Sequence, residues 1–191
     1  MRVEIEDLFK VSLYRAHFDI DTTPMLNILG DLHKEGKLKS QEGWKSGILT
    51  SHSAFNPNLQ YPELIKRIAS HVYDYATQMG YKVNQVACKE SWFNYGLKHS
   101  YQEYHIHAHC HITGVYYIET PKDSGDIVFR TNKNMYPIEL EVDNNIYTAR
   151  TRSITPQKGN LILFPADVEH MVEMNKTDNP RISLSFNFII E

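Results

Sequence analysis

From Gly80 onward the chain is written in short runs of strand-forming residues, each closed by turn residues, and this pattern limits the fold more than any other feature. Strands are expected near residues 83–94, 104–112, 114–120, 126–130, 146–155, 161–164, 170–174 and 181–190. Breaks rich in Pro, Gly, Asn and Asp fall at 121–125, 143–145, 157–159 and 177–180. Short strands at such spacing build sandwiches, barrels or jelly rolls. Before Gly80 the period changes. Met25, Ile28, Leu29 and Leu32 within 24–34 lie on one helix face, as do Leu64, Ile65, Ile68, Val72, Tyr75, Ala76 and Met79 within 62–79. Pro62 and Glu63 suit a first turn, and Gly80 suits the position after the last. Residues 3–14 read as a further strand. The expected fold is therefore mainly β, a jelly-roll or cupin-like core with N-terminal helices packed on one face.

The 191 residues contain no repeat or linker that would divide them, so one domain over 1–191 is expected, with 1–80 supporting a core at 81–191. A net charge of −3 gives no basic footprint for nucleic acid. Two cysteines are too few for a disulfide framework and suit a reducing compartment. No apolar run reaches the roughly 18 residues of a membrane span, and MRVEIEDLFK lacks the apolar stretch of a signal peptide. The expectation is a cytoplasmic protein without membrane or nucleic-acid partners, in the host cytoplasm if phage-encoded.

Histidine is in excess. Of ten, five (His99, His105, His107, His109 and His111) fall in thirteen consecutive positions. From Tyr104 to Ile112 histidines alternate with Ile106, Ala108 and Cys110, so on one strand His105, His107, His109 and His111 would share a face. Neutral imidazole ligates Zn, Fe, Cu and Ni, and two histidines at i and i+2 can reach one ion. The other reading is a solvated polar face. His170 follows a short strand ending at Pro165, where a lone histidine reads as structural or as a ligand. In 181–190, Arg181, Ser183, Ser185 and Asn187 oppose Ile182, Leu184, Phe186 and Phe188. If the polar face points inward, Arg181 and Ser183 make a carboxylate clamp. If not, it is an edge strand facing water.

In order and spacing these pieces resemble the Fe(II)- and 2-oxoglutarate-dependent oxygenases, whose fold is a double-stranded β-helix. The likeness rests on Gly43-Trp44-Lys45-Ser46, Ser91-Trp92-Phe93-Asn94-Tyr95, His105-x-His107, Thr113 to Ile118, Leu163-Phe164-Pro165 with His170, and Arg181 to Asn187. It is nearest to a small group of bacterial and phage 2-oxoglutarate oxygenases and more distantly similar to prolyl hydroxylases. The resemblance implies that His105 and His170 ligate iron and that Arg181 and Ser183 hold the distal carboxylate of 2-oxoglutarate. Tyr117, and by a looser match Tyr95, would contact the same co-substrate. It also implies consumption of O2, release of succinate and hydroxylation of an unactivated C–H bond in a peptide, a protein side chain or a small molecule.

The resembled pattern is His-x-Asp or His-x-Glu, and here it is His-x-His. His107 is then the third ligand of a neutral triad, or it leaves that position to water, or a carboxylate such as Glu103 comes from elsewhere. Unperturbed imidazoles titrate near pH 6.5, which predicts loss of a bound metal between roughly pH 7 and 5. Polar, weakly patterned segments at 41–57 and 133–145 read as lids. The alternatives are a cupin-like metal-binding β-barrel that does not use 2-oxoglutarate and a structural protein with a decayed site.

Overall fold

A computed structural model describes residues 4, 10–131, 143 and 145–191. Ten strands and three helices follow in order. They are β1 (Tyr14–His17), α1 (Thr23–Lys34), β2 (Leu49–Thr50), α2 (Pro57–Gln60), α3 (Pro62–Gln78), β3 (Val86–Gly96) and β4 (Gln102–His105). Then come β5 (Ile112–Glu119), β6 (Ile127–Arg130), β7 (Thr151–Ile154), β8 (Asn160–Pro165), β9 (His170–Val172) and β10 (Arg181–Ile190). A six-stranded sheet has the order β1-β8-β5-β10-β3-β2, and a four-stranded sheet has the order β4-β9-β6-β7. All pairings are antiparallel. This is the two-sheet jelly roll expected from the strand pattern. No helix of the described residues is long and apolar enough to cross a membrane.

Alternation on the central strands separates two cores. On β10, Ile182, Leu184, Phe186 and Phe188 turn toward the helices. They pack with Phe93, Tyr116, Ile118, Leu161 and Leu163 against Leu29, Ile68, Val72 and Ala76. Each such side chain contributes about 1.5–3 kcal/mol on burial. On the other face Val115, Tyr117, Ile162 and Phe164 meet Ile127, Phe129 and Ile154 of the four-stranded sheet. Strand β10 lies between β5 and β3, so its polar face is not the solvated edge allowed by its sequence. Arg181, Ser183 and Asn187 are buried there, between the sheets.

The helices fall within a residue or two of their periodic patterns. Four strand expectations differ. Residues 104–112 do not form one strand: β4 stops at His105 and the chain turns at 108–109, where His109 takes φ +61°. Residues 145–149 are turn, so β7 is shorter than 146–155, and β9 ends at Val172. Of 3–14, only Tyr14 enters a strand, while positions 3 and 5–9 lie outside the described residues. The two-residue β2 and four-residue α2 are too short for any period to show. In α2 the Asn56 side chain caps the turn by accepting the Asn58 N–H at 3.0 Å.

Gly114 sits on β5, between β8 and β10 in the six-stranded sheet. A methyl group there would run into the Ile162 carbonyl oxygen and lie 2.8 Å from both Leu163 and Phe186. Gly114→Ala is expected to cost about 1–3 kcal/mol by overpacking, read as a lower urea midpoint at unchanged m-value.

Candidate metal and carboxylate site

Antiparallel pairing of β4 with β9 sets His105 directly across from His170. Their ring centroids are 4.2 Å apart. His107, just past the end of β4, is fixed by its backbone N–H on the Ala166 carbonyl at 2.9 Å. Its ring lies 5.2 Å from that of His105 and 5.3 Å from that of His170. One ligand nitrogen from each of the three comes within 4.8 Å of the others, close enough to hold one ion. His109 and His111 leave this group because the chain turns. His109 is exposed, and the exposed His111 uses Nδ1 to accept the Ile190 N–H at 2.9 Å. Ile106 is 55% exposed for the same reason.

Two of the imidazoles are set by the backbone. His105 Nδ1 lies 2.7 Å from the Glu103 carbonyl oxygen, and His170 Nδ1 lies 2.9 Å from that of Val168. A carbonyl only accepts, so each Nδ1 carries the proton and each Nε2 lone pair is free for a metal. Aromatic rings enclose the group: Trp44 edge-on to His105 at 4.9 Å, Trp92 stacked on His107 at 5.9 Å, and Phe164 edge-on to His170 at 4.7 Å.

Burial disfavours the imidazolium form. Desolvation, then the neighbouring His105, pulls His107 down to about 4. Desolvation followed by the same neighbour brings His170 to about 3. His105 is also lowered by desolvation, against which the Glu103 carbonyl and carboxylate work. Acid therefore competes with a metal at these folded imidazoles at lower pH than the 7-to-5 window expected from free histidine.

A cavity of about 450 Å³, counted with its open mouth, runs past the histidines. Thr113, Val115, Tyr117, Ser183 and Arg181 line it as well. Arg181 is 4% exposed. Its Nη1 donates to the carbonyls of Ser124 (2.5 Å), Glu173 (3.3 Å) and Gly125 (3.4 Å). No carboxylate of the described residues pairs with it. Desolvation lowers its pKa, with Tyr117 opposing, while burial pushes the Tyr117 phenol well up, with Arg181 opposing. Asn94 Nδ2 donates to Ser185 Oγ at 2.8 Å and more loosely to Ser183 Oγ at 3.4 Å. Asn94 Oδ1 in turn accepts from Trp92 Nε1 at 3.2 Å.

The structure thus brings His105, His107, His170, Tyr117, Arg181 and Ser183 to one cavity, and it does not bring Tyr95. On β3, Tyr95 follows Phe93 toward the helical core, where it stacks on His33 at 4.9 Å. A pocket role for Tyr95 is corrected by this parity: Trp92 and Asn94 face the sheet interior instead. Glu103 does not join the histidine group among the described residues: its Oε1 accepts the Lys45 N–H at 3.0 Å, while its buried Oε2 has no hydrogen-bond partner. The 41–57 segment lies over the histidines through Trp44, with His52 stacked on Trp92 at 4.5 Å. The other expected lid, 133–145, falls almost wholly outside the described residues. Trp44 and Trp92 stood in quoted motifs without a role, and only the pairing of strands shows what they flank.

One jelly-roll cavity thus holds three histidines placed to hold one ion and a buried arginine with no carboxylate partner among the described residues. Residues 90–187 match the family described as "Putative 2OG-Fe(II) oxygenase", and the chain belongs to that enzyme family, which uses Fe(II) and 2-oxoglutarate. No curated protein sequence matches significantly. Solved structures share the fold. A prolyl-4-hydroxylase from Pseudomonas putida is 13% identical, with a TM-score of 0.60 over 94% of this chain and 92% of its own. An oxidoreductase of the 2OG-Fe(II) oxygenase family from Burkholderia pseudomallei is 15% identical, with a TM-score of 0.55 over 87% and 78%. HygX from Streptomyces hygroscopicus, solved with nickel, 2-oxoglutarate and hygromycin B, is 10% identical, with a TM-score of 0.58 over 94% and 83%.

The depressed histidines carry a stability signature. Unfolded imidazoles take up protons near pH 6.5 while folded His107 and His170 wait until about 4 and about 3, so the unfolded state binds more protons in between. Their contribution is complete above pH 6.5 and is lost as pH falls toward those values. Metal-free protein should lose about 2 kcal/mol per residue between pH 7 and 5, measured by urea unfolding at both.

Proposed function

We propose that the protein hydroxylates an unactivated C–H bond of a peptide, protein side chain or small molecule, with Fe(II), 2-oxoglutarate and O2. The reading is carried by the buried Arg181 guanidinium, which has no carboxylate partner among the described residues, in a cavity that also presents three imidazoles. A cation withdrawn from water invites an anion, and the hydroxyls of Ser183 and Tyr117 line the same cavity as further donors for a carboxylate. The donor set fits iron: His105 and His170 offer Nε2 with Nδ1 already bonded, and His107 completes a neutral triad. HygX, which shares the fold, was solved with nickel and 2-oxoglutarate bound, and this supports the reading by analogy of fold.

The residues of the chain then take distinct roles. Arg181 holds the distal carboxylate, its fork aimed by the three backbone carbonyls that already occupy Nη1. Ser183 and Tyr117 add hydroxyls beside it. Asn94 steadies Ser183 and Ser185 from the neighbouring strand. Phe164, Phe129 and Val115 keep water from the wall behind His170. Bound iron would supply the oxygen activation in which R–H, 2-oxoglutarate and O2 become R–OH, succinate and CO2. The likeness to a prolyl-4-hydroxylase fold supports a peptide substrate only by analogy.

Succinate release with Fe(II) and 2-oxoglutarate tests the assignment. His170→Ala should abolish it. Arg181→Ala should weaken 2-oxoglutarate binding by about 3–5 kcal/mol, since the co-substrate carboxylate would be left unpaired. An unchanged 2-oxoglutarate affinity in Arg181→Ala would remove the clamp. A thermal shift with metal alone, indifferent to 2-oxoglutarate, would instead support a metal-binding barrel of another chemistry.

A further inference from the structure

The polar face of β10 runs from a cation at one end toward an anion at the other. Arg181 and Asn187 are six positions apart, about 20 Å along a strand. Between them Ser183 and Ser185 line the cavity beside the histidines. At the far end Thr113, also a cavity residue, donates to Asn187 Oδ1 at 2.9 Å. Asn187, 3% exposed, donates through Nδ2 to Glu90 Oε1 at 2.7 Å. The Glu90 carboxylate is therefore exposed yet aimed by a buried amide. No Lys or Arg of the described residues pairs with it.

Rings flank this carboxylate. Glu90 precedes Trp92 by two positions on β3, so both project from the same face. The Trp92 ring is stacked between His52 (4.5 Å) and His107 (5.9 Å). His52 is close enough to Glu90 to feel its charge. A fixed carboxylate beside aromatic faces is the chemistry that holds an ammonium or guanidinium group. With the Arg181 end reserved for the 2-oxoglutarate carboxylate, this end is the one left for the substrate.

We infer that Glu90, anchored by Asn187 and flanked by Trp92 and His52, binds a cationic amine or guanidine group of the primary substrate next to the histidine cluster. The inference rests on the oxygenase reading for what the bound molecule undergoes, but cation binding is measurable without turnover. Both tryptophans of the chain, Trp44 and Trp92, flank the histidines, so intrinsic fluorescence reports on this region.

The experiment titrates Mn(II)- and 2-oxoglutarate-loaded protein with N-acetyl-lysine amide and, separately, with its uncharged counterpart N-acetyl-norleucine amide. The lysine compound is expected to change tryptophan fluorescence saturably and to bind about tenfold or more tightly than the neutral one. Glu90→Gln, exposed and conservative enough to fold, is expected to erase that preference, and Glu90→Lys to abolish lysine-amide binding, with circular dichroism confirming both folds. Equal binding of the charged and neutral compounds, or a preference that survives in Glu90→Gln, overturns the inference. The oxygenase reading fails by a different result: wild-type protein whose thermal stability does not respond to 2-oxoglutarate on top of the metal.

Discussion

Burying the Arg181 guanidinium constrains this molecule more than any apolar contact, because a cation withdrawn from water must find acceptors or an anion. The chain supplies three carbonyls, from Ser124, Gly125 and Glu173, and they come from the turn after β5 and the end of β9. That turn must press against β9 to deliver them. Gly125, at φ +90°, allows it, since a Cβ there would collide with the Glu173 backbone. The cation thus fixes how the connection between β5 and β6 meets β9. It also lines the cavity that the three histidines share.

The histidine group depends on a different economy of backbone contacts. Among the described residues, the rings of His105 and His170 are hydrogen-bonded to backbone rather than to a charged side chain. Their rings are set by neighbouring carbonyls two residues earlier in the chain, and the aromatic side chains around them remove water rather than add bonds. Such an arrangement keeps the imidazoles neutral over the physiological range, which is the form that ligates. Its weakness is the uncompensated desolvation that appears as acid sensitivity.

Much of this was legible before any coordinates. Strand β10 was bounded at 181–190 by a proline before it and strict alternation within it, and the long helix was visible from Pro62 to Gly80. His170, Arg181 and Ser183 gained meaning only in combination, through a family's spacing. What could not be read was direction. Alternation from His105 to His111 looks the same whether or not the chain bends, and a bend at 108–109, with a left-handed His109, dissolves the shared face. Spacing chose Tyr95, whereas the register of β3 against β10 selects Asn94, one residue and one face away. Glu103 was on the right strand, but a backbone N–H from a segment 58 residues earlier takes one of its carboxylate oxygens, and the group does not join the histidines.

His105 and His170 are 65 positions apart and meet only because β4 lies alongside β9. The stretch between them holds β5 to β8, which must be threaded into two sheets before the pair can face each other. Contacts of such long sequence separation form late and slowly, since the loop they close must be ordered first. A growing chain that has emitted only the first histidines holds two thirds of the cluster with nothing to shape it. The three imidazoles can therefore meet only once the intervening strands have been paired.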